Sequence, residues 1–286
     1  LESKNFTVQF KQKGIPSRKI KNGDARYQTE KIYKKMEAKK IIITGGATRI
    51  GSAIAKSLAG YDIDIIIHFN KSKKLAQQLK IELEEMGSKV YLIKADLNDI
   101  NQLKKIVPFA HKKMKGLDCL INNASLFEKD NLENFNEKSF SRHININLKA
   151  PAFLIKDFKR YVKNKEANVI NIIDQRVKKL TPFFFSYTLS KAALATLTTT
   201  AAMKLAPNIR VNGISPGPTL KNKRQSEKHF KAQWKSTILQ KQVDLNNICE
   251  SVKYFLENNS ITGQIISVDS GQSLAWKTPD IINSKE

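Results

Sequence analysis

The sequence predicts an α/β fold, a single doubly wound parallel sheet of about seven strands with helices on both faces. Three observations carry that expectation. Seven short segments are almost unbroken runs of Ile, Val and Leu, as strands covered on both sides are. Amphipathic patterns of helical period fill the gaps between them. The first apolar run turns directly into Thr44-Gly45-Gly46-Ala47-Thr48-Arg49-Ile50-Gly51, a tight passage from strand to helix.

Taken in order, three isoleucines make the first strand, Lys40–Thr44, and the glycine turn opens a helix over Arg49–Ala59. A second strand, Asp64–Phe69, precedes a helix over Ser72–Met86 that Gly87 stops. Strand Lys89–Lys94 leads to helix Asn101–Met114, and strand Leu117–Asn122 to a long helix over Ser139–Val162. Strand Asn168–Ile173 is followed by a small-residue helix, Ser186–Leu205, stopped by Pro207. Strand Ile209–Ile214, helix Leu245–Glu257 and strand Ile265–Val268 complete the series. No internal repeat or low-complexity linker interrupts it, so residues 38–286 read as one domain. Residues 1–37 differ: lysines, Gly14-Ile15-Pro16 and Asn22-Gly23-Asp24 break any apolar periodicity. They are expected to form a basic, flexible extension.

The chain has 286 residues, enough for one full core, and 50 Lys plus Arg against 26 Asp plus Glu, a net charge of +24. That charge raises a nucleic-acid or membrane-surface partner. The excess is mainly lysine spread along the whole length, however, and no basic region is interleaved with aromatics as a base-stacking surface would be. Neither partner is therefore expected. Cys119 and Cys249 stand alone and His68, His111, His143 and His229 lack ligand spacing. A reducing compartment without disulfide or metal is the expectation. No apolar run approaches the roughly 20 residues of a membrane span, so a cytoplasmic protein is expected.

The glycine turn lies where a doubly wound sheet holds a dinucleotide. Glycines there permit positive φ and close backbone approach, and the helix N-terminus faces the pyrophosphate. Two glycines after an isoleucine run are also compatible with a plain helix start. Arg49 stands where a G-x-x-x-G-x-G turn would carry glycine, adding a cation beside the phosphates. About 20 residues on, an NAD site wants an acid for the ribose 2′-hydroxyl. Here Asn70-Lys71-Ser72 occupies that place, a set suited to a 2′-phosphate, so NADP(H) is the expected cofactor. Asp96, after the third strand, can accept from the adenine amino group. Asn122-Asn123-Ala124-Ser125, after the fourth, can tie strands together beside the ribose. Taken alone, each is equally a cap or turn residue.

Tyr187 and Lys191 stand at i and i+4, on one helix face. A nearby cation stabilises tyrosinate, so Lys191 is expected to lower the phenol pKa and make Tyr187 a usable proton donor. Tyr27/Lys31 and Tyr161/Lys165 share the spacing, but only Tyr187 opens a helix directly after a strand.

With these residues the chain resembles the short-chain dehydrogenase/reductase family from about residue 38 to 276. The glycine turn, Asp96, Asn122-Asn123-Ala124, Asn147, Tyr187/Lys191, Pro216-Gly217 and Thr262-Gly263-Gln264 through Val268-Asp269 carry the likeness. The resemblance implies that Lys191 also holds the nicotinamide ribose, that Asn147 supports a water-linked proton relay, and that Pro216-Gly217 lies against the nicotinamide. It adds Ile50, Leu97 and Thr219 to the cofactor contacts, and it implies a homotetramer packed through 139–162 and 186–205.

Two departures narrow the resemblance. Asp174 stands 13 residues before Tyr187 where the family usually has serine, and Asn-Asn-Ala-Gly has become Asn122-Asn123-Ala124-Ser125, followed by Leu126-Phe127. With Arg49 and Asn70-Lys71-Ser72, this is similar to the pteridine reductase branch, which includes dihydromonapterin reductases. That branch implies Phe127 stacking on a pterin, Asp174 assisting protonation, and Arg49 and Ser125 touching both cofactor and pterin. The chemistry is consistent: a carboxylate repels a developing oxyanion but suits a ring nitrogen that gains a proton.

The expected activity is NADPH-dependent reduction of a dihydropterin. The alternative within enzymes is carbonyl reduction of an oxoacyl thioester, sugar or steroid. Outside them stands a non-catalytic NADP-binding or nucleic-acid-binding protein, against which intact Tyr187, Lys191 and Asn147 argue. The polar stretch Lys221–Lys241 is expected to be a mobile substrate lid. Its Lys221, Lys223, Arg224 and Lys228 suit either an acidic substrate tail or a solvated basic loop.

Overall fold

The computed structural model describes residues 40–276 apart from 61, 163–165 and 223. Residues 1–37, with Tyr27 and Lys31, lie outside the described residues, as do Lys165 and Lys223.

Seven parallel strands form one sheet in the order β3-β2-β1-β4-β5-β6-β7. They are β1 Lys40–Ile43, β2 Asp64–Phe69, β3 Lys89–Lys94, β4 Cys119–Asn122, β5 Ala167–Ile172, β6 Ile209–Pro216 and β7 Ile265–Val268. The apolar runs are continuous because both faces are covered. Ile41 and Ile43 point into one core with Ile65 and Ile67, while Ile42 and Ile66 point into the other. The first core is closed by Ile54 and Leu58 of α1 (Arg49–Leu58), Leu79 and Leu83 of α2 (Lys73–Glu85), and residues 248–256 of the helix Leu245–Glu257. The order reverses between β1 and β4, so a crevice opens at their carboxyl ends, the usual ligand position in such sheets.

Two expectations about helices need correction. The predicted helix Asn101–Met114 is two, α3 Ile100–Leu103 and α4 Ile106–Met114. A continuous helix would drive the Pro108 ring into the carbonyl of Lys104, so the chain breaks there. The predicted helix Ser139–Val162 begins earlier, at α5 Glu137–Ile144, where the Asn136 side chain accepts from the Ser139 amide at 2.9 Å. A π-helical turn over Asn145–Lys149 then precedes α6 Ala150–Tyr161, with Pro151 in the first turn of α6. The wider turn removes the register conflict that Pro151 would create in an unbroken α-helix. Helix α7 spans Phe185–Leu205. The stretch expected as a lid contains helix α8, Glu227–Lys235, capped by the Ser226 side chain, and α9 follows at Leu245–Glu257.

Candidate active site

The turn between β1 and α1 is shaped by its glycines and one unusual arginine. Gly45 has φ +60°, and a Cβ on Gly51 would come 2.4 Å from the Gly45 carbonyl oxygen, so neither position tolerates a side chain cheaply. Arg49 adopts φ +55°, the left-handed conformation the turn requires and that non-glycine residues avoid. Its guanidinium donates to the carbonyls of Leu220 (3.0 Å) and Lys221 (2.9 Å), tying the turn to the segment after β6. Helix α1 has no acidic residue in its first turn and no side-chain cap from Thr48, which leaves its N-terminus free for an anion.

His68, marked in the sequence only as a histidine without ligand spacing, positions this turn. Its Nδ1 accepts from the Gly45 amide at 3.1 Å, and its Nε2 lies 3.1 Å from the Ala95 carbonyl oxygen, so Nε2 carries the proton. Burial pushes its pKa down to about 4 and keeps the ring neutral, against the opposing pull of the Ala95 carbonyl and Asp96. The next residue, Asp96, spends Oδ1 on the Asn98 amide at 2.9 Å, and Leu97 is buried beside it. At the end of β2, Asn70 and Ser72 are partly exposed and Lys71 is exposed, with no acid among the three.

Thr44 and Asn123 join the turn to β4. The Asn123 amide group donates to the carbonyls of Thr44 (2.9 Å) and Gly45 (3.1 Å), while Thr44 Oγ1 accepts from the Asn123 and Ala124 amides at 3.0 Å each. Beneath the crevice, Asn122 donates to Asn171 at 2.8 Å and Asn171 to Thr198 of α7 at 2.9 Å. This buried chain fixes α7 against β4 and β5. On the far side Pro216 ends β6, and Gly217 lies so close to Asp269 that a Cβ would approach its Cα to 2.6 Å. Thr219 is buried and donates to the Gly217 carbonyl at 3.1 Å.

Asn147 sits fully buried in the π-helical turn, and its side chain is saturated. Oδ1 accepts from the Leu126 amide (2.8 Å) and Ser125 hydroxyl (3.2 Å), and Nδ2 donates to the Leu126 carbonyl and Ser190 hydroxyl, both at 2.9 Å. It therefore holds the 125–126 loop in place, and a proton relay at this residue would have to use its main chain.

At the centre of the crevice the Tyr187 hydroxyl donates to Asp174 Oδ2 at 2.8 Å. The phenol is almost wholly buried. Burial first, then the Asp174 carboxylate, push its pKa well above the ordinary tyrosine value, against smaller opposition from Arg176 and Ser125. This overturns the expectation that Lys191 lowers it. Burial instead brings the Lys191 pKa down to about 8, and its Nζ donates to the Ile172 carbonyl at 2.7 Å.

Phe127 stands edge-on to Tyr187 with centroids 4.6 Å apart, and it stacks on Phe184 at 4.5 Å with the rings 9° from parallel. Phe184 reaches that pose through a left-handed backbone, φ +60°, its amide bonded to the Asp130 carbonyl at 2.7 Å. The guanidinium groups of Arg176 and Arg224 lie 5.3 and 5.4 Å from the Phe127 ring centroid. Sequence reasoning missed Phe184, Arg176 and Asp130. Only Arg176, two residues beyond Asp174 at the same strand end, offered a signal. The crevice thus gathers Gly45, Arg49, Asn123, Ser125, Phe127, Asn147, Asp174, Tyr187 and Lys191 from elements distant in sequence.

Comparisons with known proteins agree with this geometry. The short chain dehydrogenase family model matches residues 39–232. General stress protein 39 of Bacillus subtilis is 30% identical over 213 residues, 74% of each chain. FolM alternative dihydrofolate reductase 1 from Brucella canis, whose crystal structure contains NADP, is 42% identical with a TM-score of 0.81, over 84% of this chain and 96% of that one. A short chain dehydrogenase from Burkholderia cenocepacia, also solved with NADP, is 27% identical with a TM-score of 0.78, over 83% and 98%. The chain belongs to the short-chain dehydrogenase/reductase family.

Proposed function

We propose that this oxidoreductase uses NADPH to reduce a dihydropterin. The cofactor assignment rests on residues that fit it. The free N-terminus of α1 suits a pyrophosphate. Asn70, Lys71 and Ser72 offer donors and a cation, with no carboxylate to repel a 2′-phosphate. Lys191 suits the nicotinamide ribose, and Pro216 and Gly217 the nicotinamide itself. When bound, NADPH supplies the hydride.

The observation that carries the substrate reading is the Tyr187–Asp174 pair set against the Phe127 ring. Phe127, already stacked on Phe184 through one face, would receive a heteroaromatic ring on the other. The two oxygens of the pair lie 2.8 Å apart and share one proton, so both act as one donor toward a ring nitrogen. The product gains hydride at a ring carbon and a proton at the adjacent nitrogen. Ketone reduction would place a developing oxyanion beside Asp174, which repels it. The Brucella canis neighbour, named as an alternative dihydrofolate reductase, supports the same reading.

The test is NADPH oxidation with a 7,8-dihydropterin and with an oxoacyl thioester, using wild type, Asp174→Ser and Phe127→Ala. Dihydropterin turnover is expected in the wild type and a strong loss in Asp174→Ser. Phe127→Ala should weaken binding by about 0.5–1.5 kcal/mol beyond lost area. Preference for the thioester, or unimpaired dihydropterin reduction by Asp174→Ser, overturns the reading.

A further inference from the structure

Arg176 and Arg224 are not used by the reduction just described, yet both are held against the ring on which the pterin would stack. Arg176 lies 5.3 Å from the Phe127 centroid and 4.8 Å from that of Phe184, and Arg224 lies 5.4 Å from Phe127. Neither is a loosely tethered surface cation. Arg224 donates to the Phe127 carbonyl at 2.8 Å, and its own amide is fixed by the Asn222 side chain at 2.8 Å. The segment is pinned at its other end by the Arg49 bonds to Leu220 and Lys221. Arg176 follows Asp174 into a short 3₁₀ turn, and its Nε is buried without a partner.

The local charge balance leaves Arg224 short of an anion. Glu128 is engaged by Arg142 at 3.2 Å, and Glu227 by Lys221 at 2.6 Å. Asp174 is shared between Tyr187 at 2.8 Å and Arg176 at 3.5 Å, and buried Asp130 accepts from the Ser186 amide at the start of α7 through Oδ1 while its Oδ2 has no partner among the described residues. Among the described residues Arg224 has no carboxylate partner. A guanidinium with free donors, fixed over an aromatic ring, recognises a carboxylate or phosphate in bidentate fashion.

We infer that Arg224, backed by Arg176, forms a subsite for an anionic substituent on the pterin, so that the preferred substrate carries a carboxylate or phosphate beyond its ring. The inference rests on the pterin reading and deepens it. Carboxylate and phosphate share this chemistry and differ in reach. A phosphate on a short side chain would meet Arg224 directly, whereas a benzoylglutamate tail extends past it.

The experiment measures kcat/KM for three 7,8-dihydropterins with wild type, Arg224→Gln and Arg224→Lys. One substrate carries a neutral polyol chain, one the same chain as its monophosphate, and one a benzoylglutamate tail. Wild type is expected to favour at least one anionic substrate over the neutral one, and Arg224→Gln to reduce that ratio about tenfold. Arg224→Lys, which keeps the charge but not the fork, should restore part of it. Raising the salt concentration should lower the wild-type ratio as well. The anionic substrate favoured identifies the source. A wild type that turns over all three equally, or a ratio unmoved in Arg224→Gln, overturns the subsite and leaves the pterin reading standing. No turnover of any of the three overturns both.

Discussion

Buried beside the Asp174 carboxylate, the Tyr187 phenol meets its substrate protonated. Its hydroxyl already donates to the Asp174 oxygen 2.8 Å away, so removing either member should damage the chemical step more than binding. Tyr187→Phe is expected to lose about 10²–10⁴ in kcat while retaining NADPH affinity, checked by turnover and by cofactor titration. Near-normal turnover would remove Tyr187 from the role. Lys191 contributes a different pH signature. Its pKa is brought down to about 8, so its positive charge is present below that pH and lost above it. If the charge holds the cofactor, kcat/KM for NADPH should fall with a limb near pH 8 on the alkaline side. A profile flat to pH 10 would show that the Lys191 charge is dispensable.

At the scale of elements, His68 links three strands at the point where the cofactor turn begins, reaching Gly45 after β1 and Ala95 after β3 from its place on β2. The neutral ring is required, because protonated Nδ1 cannot accept from the Gly45 amide. Its folded-state pKa of about 4 lies below the ordinary 6.5, so the stability it contributes is complete above pH 6.5 and is lost as pH falls toward 4. The shift corresponds to roughly 2–4 kcal/mol. His68→Asn should lower stability at neutral pH by about 1–3 kcal/mol through the lost Ala95 contact, yet flatten the loss between pH 6.5 and 4. Denaturant unfolding across that range checks it, and an unchanged acid slope would assign the effect elsewhere. His68 also shows where the sequence was legible and where it was not. The apolar runs marked β2, β3 and β7 to the residue, because a strand buried on both faces leaves a continuous signature. A histidine within such a run looks like any core residue until the neighbouring turn is in place. Phe184 was illegible for a related reason: its left-handed backbone is imposed by Asp130, 54 residues earlier and brought close only by folding. The helix breaks at Lys104–Lys105 and at 145–149 were readable in principle from Pro108 and Pro151, whose cost to a continuous helix is local. The Tyr187/Lys191 and Asp174 positions were legible from spacing and resemblance, but their electrostatics was not, since burial dominates both shifts.

For the whole molecule the dominant electrostatic feature is a net charge of +24. Among the described residues no helix is long and apolar enough to cross a membrane, and no His/Cys/Asp/Glu cluster could hold a metal. Two classes of anion could answer that charge, NADPH with an anionic substrate or a nucleic acid. The two make different demands on salt. A small multivalent anion drawn into a basic crevice loses long-range attraction as the screening length contracts from about 10 Å at 0.1 M salt to about 3 Å at 1 M. Contacts made inside the crevice survive that change. NADPH affinity should therefore weaken by roughly three- to tenfold between 0.05 and 0.5 M salt while kcat at saturating cofactor barely moves. Nucleic-acid binding through many phosphate contacts would instead fall by orders of magnitude over a smaller range. Parallel titrations of NADPH and of a short duplex against salt separate the cases. Tight duplex binding at about 0.15 M salt, with no reduction of any pterin, would favour the nucleic-acid role. Weak, steeply salt-sensitive duplex binding beside modestly salt-sensitive NADPH binding would mark the surface charge as an attractor for the reductase's own anionic ligands.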